Sequence, residues 1–214
     1  MGAFRLPLFP LQLVMFPGAR IPLHIFEERY RTLMNECIRA ESEFGITLFA
    51  DGELSNIGCT AVVSSVRKRY ADGRMDIIAE GRRRFRLLSH ETGPQGYLIG
   101  TAEILSTEGA PANQSLADET IRLYNTLVAL VYKNKIEPVE VGSKDSHLSF
   151  LLAQKAGLDL PQRQQILESP SEVERLTILR DYLTQVLPKL ERASEIERII
   201  RSDGYLPRHS SEGP

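Results

Sequence analysis

Hydropathy along this chain changes period once, and that change constrains the fold more than any single residue. Up to residue 105 most apolar side chains alternate, as in strands with one buried face; from Leu116 onward they recur at steps of three and four, as in packed helices. Between the two regimes, residues 106–115 read STEGAPANQS, small, polar and rich in turn formers, which marks a boundary. Strands first and helices afterwards indicate an α+β fold rather than a parallel α/β sheet.

Within the first regime the pattern predicts short strands at Phe4–Leu8 and Arg20–Ile25, where Pro7, Pro10, Pro17 and Pro22 suit edges and turns. Phe26, Tyr30, Leu33, Met34, Cys37 and Ile38 then form one apolar helical face, with Glu27 and Glu28 in the first turn. Strands resume at Phe44–Ala50 and Gly58–Tyr70, and Asp72-Gly73 signals a hairpin to Arg74–Glu80. Gly81 is expected to break or bulge the chain before Arg82–Ser89 and Tyr97–Leu105. About seven closely spaced strands with one inserted helix point to a closed or nearly closed barrel over residues 1–108. Residues 115–203 read as a helical unit. It has a helix from Leu116 to the Asn134 region, one over His147–Ala156, a short one ending near Ser169, and a long one opened by Ser171 with Glu174 as a capping box. Pro188 should kink or break that last helix, and residues 204–214 read as a disordered tail.

The bulk numbers narrow function by exclusion. At 214 residues, 42% hydrophobic and 25% charged, the chain can bury a core, and a net charge of −2 supplies no global attraction for nucleic acid or anionic lipid. No apolar run is long enough for a signal peptide or a membrane span, so the cytoplasm of a prokaryote is the expected compartment. Cys37 and Cys59 belong to no CxxC or Cys/His cluster and read as buried thiols, and the four histidines share no ligand spacing. His24, between apolar neighbours, reads as a satisfied histidine in a barrel wall. There is no P-loop, no GxGxxG after a strand, no GxSxG and no HExxH, so no catalytic residues, metal or cofactor are expected.

The most specific signal is an ordered series. Leu6-Pro7-Leu8-Phe9-Pro10 is followed by Met15-Phe16-Pro17-Gly18, Ile21-Pro22-Leu23-His24-Ile25-Phe26-Glu27-Glu28-Arg29-Tyr30 and Phe44-Gly45-Ile46. Then come Ile57-Gly58-Cys59-Thr60-Ala61, Asp72-Gly73-Arg74 and Glu80-Gly81-Arg82-Arg83-Arg84-Phe85. This series resembles the N-terminal substrate-binding domain of the ATP-dependent Lon proteases, most closely the short bacterial proteins that carry only that domain. Leu158-Asp159-Leu160-Pro161, Gln164-Gln165-Ile166-Leu167-Glu168 and Glu174-Arg175-Leu176 are similar to its helical half, so the resemblance spans about residues 4–190. It implies a PUA-like β pseudo-barrel followed by a helical bundle. It also implies a non-catalytic role in engaging unfolded or partly folded polypeptides, as adaptor or regulator beside a Lon-type protease whose ATPase and Ser/Lys peptidase lie beyond this region. The loop Ala50–Asn56 is shorter than the family's commoner form, and the long coiled-coil extension is missing, so the hexamer is not carried over.

Three residues are candidates for an exposed apolar contact with polypeptide: Phe16 and Pro17 in an early loop, and Leu54 in the short loop. An open barrel edge would offer strand addition as another mode. The alternative is an RNA-binding module using the locally basic hairpin 67–86, with Arg67, Lys68, Arg69, Arg74, Arg82 and Arg84 interleaved with Tyr70 and Phe85. Strand alternation spreads those cations over both faces among Asp72, Asp76 and Glu80, which ranks nucleic acid below polypeptide. A small-ligand-binding barrel is the remaining reading.

Overall fold

The computed structural model describes residues 2–106, 112–133, 135–143 and 147–203; the expected tail 204–214 and part of the boundary segment lie outside them. Seven strands come first: β1 (Phe4–Leu11), β2 (Arg20–Ile25), β3 (Phe44–Ala50), β4 (Glu53–Leu54), β5 (Ile57–Arg69), β6 (Met75–Thr92) and β7 (Leu98–Ile104), with helix α1 (Glu28–Ala40) between β2 and β3. The sheet runs β1-β7-β6-β5-β3, and β1 also pairs with β3, in parallel, so these five strands close into a ring. Among the described residues β2 joins only β6, and β4 only β3. The result is the α+β architecture expected from the strand-then-helix order.

β6 is one strand of 18 residues, not the two expected on either side of Gly81. The glycine marks a bulge instead: opposite β5, Cys59 pairs with Arg84 but Ala61 with Gly81, so β6 carries an extra residue there. The strand bends without ending, and it therefore serves two neighbours on one side, β2 with its first half and β7 with its second.

Asp72-Gly73 does turn the β5–β6 hairpin, but only Gly73 has a positive φ, at 85°. The Gly73 N–H donates to Tyr70, and the Tyr70 N–H donates to the Arg74 carbonyl, so the loop is longer than a two-residue turn. The two-residue turn with both central residues left-handed occurs at Asp51-Gly52, φ 53° and 84°, between β3 and β4.

In α1 the apolar face holds: Tyr30, Leu33, Met34 and Cys37 are buried against the ring. Phe26 does not share it and is 61% exposed, because the helix begins two residues later and helical phase does not apply to it. Both cysteines are buried and free, and burial pushes the Cys59 thiol up to about 12.

The helices α2 (Gln114–Tyr132), α3 (Leu148–Ala153), α4 (Leu160–Glu168) and α5 (Glu172–Asp203) follow. Their starts are chemically marked. Asn113 accepts from Leu116, Asp159 and Gln162 form a reciprocal capping box, and Ser171 Oγ accepts from the Glu174 N–H. α5 runs unbroken through Pro188. Thr184 and Pro188 are both exposed, so the carbonyl that proline leaves unpaired faces water, where the loss is small. Among the described residues no helix is long and apolar enough to cross a membrane.

The ring keeps cores of its own, and a further cluster joins the β1–β2 loop and β3 to the helices. Val14, Phe16, Ala19 and Leu48 pack in the same buried cluster as Tyr124, Phe150, Leu167 and Leu179. Polar ties run alongside: Gln164 Nε2 donates to the Ile57 carbonyl at 3.0 Å, and Arg163 to that of Val14 at 3.3 Å.

Candidate functional site

An open groove of about 1110 Å³ lies where β2 departs from the closed ring. One wall is the end of β2 and its junction with α1, from Leu23 to Glu27; the other is the β3–β4 hairpin with Phe49, Glu53 and Leu54. Phe9, Pro10 and Leu11 from β1 and Leu87 and Leu98 from β6 and β7 complete a mainly apolar lining. Phe26 is 61% exposed and Phe49 is 41% exposed, so two aromatic side chains of the lining are open to water. Phe49 pairs across the hairpin with Leu54, which is half-buried. A cleft of this kind holds apolar side chains of a partner with little rearrangement.

The polar members of the lining are largely paired. His24 Nδ1 lies 2.5 Å from Asp76 Oδ1, and the Tyr70 hydroxyl donates to Asp76 Oδ2 at 2.8 Å. Those hydrogen bonds, His24's first and Tyr70's second, hold the Asp76 carboxyl below its usual range. The His24 ring also stacks on Phe26 with centroids 6.1 Å apart and meets Tyr70 edge-on at 5.8 Å, so it is partnered at the mouth of the groove rather than enclosed in the wall. Arg29 pairs with Glu27 at 2.8 Å and lies over the Tyr30 ring at 4.6 Å. Among the described residues no three His, Cys, Asp or Glu side chains gather as a metal site.

Of the three residues read as exposed contacts, only Leu54 lies here. Phe16 and Pro17 are buried, and Phe16 has no exposure at all. Phe16 stacks on Phe150 of α3 at 5.5 Å, with the Arg163 guanidinium 4.8 Å from its ring. An apolar pair in a Pro/Gly loop reads equally well as surface or as a plug. The helices decide for the plug by packing over the loop. Phe26 and Phe49 escaped the sequence reading, the first assigned to a helix face and the second simply to the strand Phe44–Ala50.

Strand addition is also disfavoured. The Gly81 N–H donates to the Ala19 carbonyl, and ladder alternation then turns Ile21, Leu23 and Ile25 toward β6 and leaves Arg20, Pro22 and His24 on the free edge. Pro22 removes the central donor of that edge, a device that blunts pairing with another chain.

The basic hairpin is neutralised in part, with Glu80 shared between Arg82 and Arg20. Arg74 pairs with Asp72 at 2.7 Å, Arg82 with Glu80 at 3.0 Å, and Arg69 donates to Asn35 at 3.0 Å. Lys68 lies over the Tyr70 ring at 4.5 Å, and Arg67 is exposed. Arg84 must be removed from the candidate nucleic-acid set, because it is 4% exposed. It donates to the carbonyls of Leu167, Ser169, Pro170 and Ser106 at 2.8–3.3 Å, binding the ring to the C-terminal end of α4. The exposed carbonyl dipoles there favour a cation. Replacing Arg84 by Met should cost about 2–4 kcal/mol, since several buried acceptors lose their donor together. Urea unfolding followed by circular dichroism would detect this, and an unchanged midpoint would refute the assignment.

A closed strand ring with an apolar groove on its flank, braced by a helical unit, defines a two-part α+β domain with an open cleft among the described residues. The chain belongs to the family of ATP-dependent protease La (LON) substrate-binding domains, whose profile matches residues 5–185. It is 25% identical over 214 residues to Lon protease 2 of Syntrophobacter fumaroxidans, covering 92% of this chain and 26% of that protein. It is also 25% identical over 112 residues to protein cereblon of Xenopus tropicalis, covering 50% of this chain and 25% of that protein. Its fold superposes on the crystal structure of a Lon N-terminal domain protein from Xanthomonas campestris with a TM-score of 0.67 and 26% identity, over 82% of this chain and 96% of that one. The N-terminal domain of the Mycobacterium avium complex Lon protease shares the fold at a TM-score of 0.61, with 21% identity, over 85% and 98% of the two chains. The chain spans about a quarter of the length of the curated relatives it matches.

Proposed function

We propose that this chain binds unfolded or partly folded polypeptides without catalysing a reaction itself, and acts as an adaptor or regulator beside a Lon-type ATP-dependent protease. The supporting observation is the groove, with Phe26 and Phe49 solvent-exposed in its lining alongside Leu54, Leu11 and Leu98. A folded client hides its apolar side chains, whereas an unfolded one presents them, so such a cleft discriminates by state of folding. The family's description as a substrate-binding domain agrees with this reading.

The test is binding of a permanently unfolded, carboxymethylated reporter protein, followed by fluorescence anisotropy. Phe49→Ser should weaken binding about tenfold, and Phe49→Ser with Leu54→Ser further, as expected for aromatic anchors in a contact surface. Phe49 is exposed and Leu54 half-buried, so circular dichroism is recorded on each variant to establish that it is folded. Unchanged affinity in the folded double variant would sink the proposal.

A further inference from the structure

We infer that the groove selects segments in which an aromatic or aliphatic side chain is closely followed by a lysine or arginine, the cation being read at Asp51 and Glu53. This rests on the groove being the polypeptide site. The charged side chains of the lining are Glu27, Arg29, Glu53 and the two imidazoles His24 and His90. Glu27 and Arg29 neutralise each other, and His24 is engaged by Asp76. The charge left over is that of Glu53. Asp51 stands two residues away at the same hairpin tip, and both are exposed. Among the described residues, neither carboxylate has an ion-pair partner or a side-chain hydrogen bond.

The left-handed turn at Asp51-Gly52 holds the two acids at one edge of the cleft. A partner's ammonium or guanidinium pairs with these exposed carboxylates while its apolar neighbour enters the groove. The apolar wall beside them keeps water off one side and concentrates their field. Because the tip is solvated, the gain is modest; it sets preference and association rate, while the aromatic contacts supply most of the affinity.

The experiment compares short fluorescein-labelled peptides with identical Phe and Leu anchors and either Lys or Glu flanks, by anisotropy at low and high salt. The Lys peptide should bind the wild type roughly fivefold more tightly at low salt, the size expected of one exposed ion pair. That ratio should fall toward unity in Asp51→Asn with Glu53→Gln, and at high salt. Asparagine tolerates the left-handed backbone at position 51, so the turn is retained. Equal binding of the two peptides to the wild type, or a ratio untouched by the double substitution, would overturn charge selection while leaving the groove as a site. Binding of neither peptide, or binding indifferent to Phe49→Ser, would overturn the groove itself and charge selection with it.

Discussion

Replacing Arg175 by methionine should destabilise the protein by about 3–5 kcal/mol, the range found when one partner of a buried ion pair is removed. Arg175 has no exposed surface. Its guanidinium donates to Glu172 Oε2 at 2.8 Å, to Ser149 Oγ at 2.9 Å and to the Ser169 carbonyl at 2.8 Å, and it lies 4.4 Å from the Phe150 ring. Glu172 in turn accepts from the main-chain N–H and the hydroxyl of Ser149, serving a free donor in the first turn of α3. The network thus ties the start of α5 to the start of α3 and to the end of α4, and every member is satisfied only while all are present. Removing the cation strands a carboxylate in a site with almost no water. Removing both charges, as Glu172→Leu with Arg175→Met, should recover part of the loss, because no charge is then buried unpaired although Ser149 and the Ser169 carbonyl still lose their partners. Urea denaturation of the two single variants and the double variant measures the coupling; additive losses would show that the pair does not act as a unit.

Gly81→Ala should be comparably damaging through sterics alone. A Cβ at this position would stand 2.2 Å from the Phe16 carbonyl oxygen and 3.2 Å from Cys59 Sγ. The nearest obstacle is backbone and cannot rotate away. Gly81 is held in place by two main-chain hydrogen bonds of 2.9 Å, one from Gly18 to its carbonyl and one from its own N–H to Ala19. Relief would require the β1–β2 loop to move, yet Phe16 in that loop is stacked on Phe150 beneath the helices. Overpacking of this kind typically costs about 1–3 kcal/mol when side chains can yield, and more here because they cannot. The expected result is a large fall in soluble yield and in thermal midpoint. Gly2→Ala, with nothing within 4 Å of the new methyl group, serves as the neutral control. A wild-type midpoint for Gly81→Ala would refute the close approach.

These two sites show what kind of information was readable in the chain. Gly81 stands out in the ordered motif, and a glycine among strand residues reads as a break or a bulge. Its partner, the Phe16 carbonyl, is 65 positions away and carries no signal. Glu172 and Arg175 lie three apart on a helix with exposed neighbours, the usual pattern of a solvated pair. Burial comes from α3 and α4 closing over them, which no local pattern records. Arg84 was misplaced for the same reason: a run of three arginines looks like surface charge, and only the arrival of α4 shows that the third is enclosed by carbonyls.

The groove repeats the lesson. Leu54 was recognised, Phe26 and Phe49 were not, and Phe16 and Pro17 were placed on the wrong side of the surface. Alternation tells which residues share a face, but not whether that face meets another element or water. Period, turn residues and caps are local properties, carried by neighbours within a few bonds. From them alone came the strand-then-helix order, the inserted helix, the capped start of α5, and, through the ordered motif, the family. The closure of the ring by β1 and β3, the fate of each exposed or buried aromatic and the position of the groove arise between segments far apart in the chain. Those were decided only when the tertiary structure brought them together.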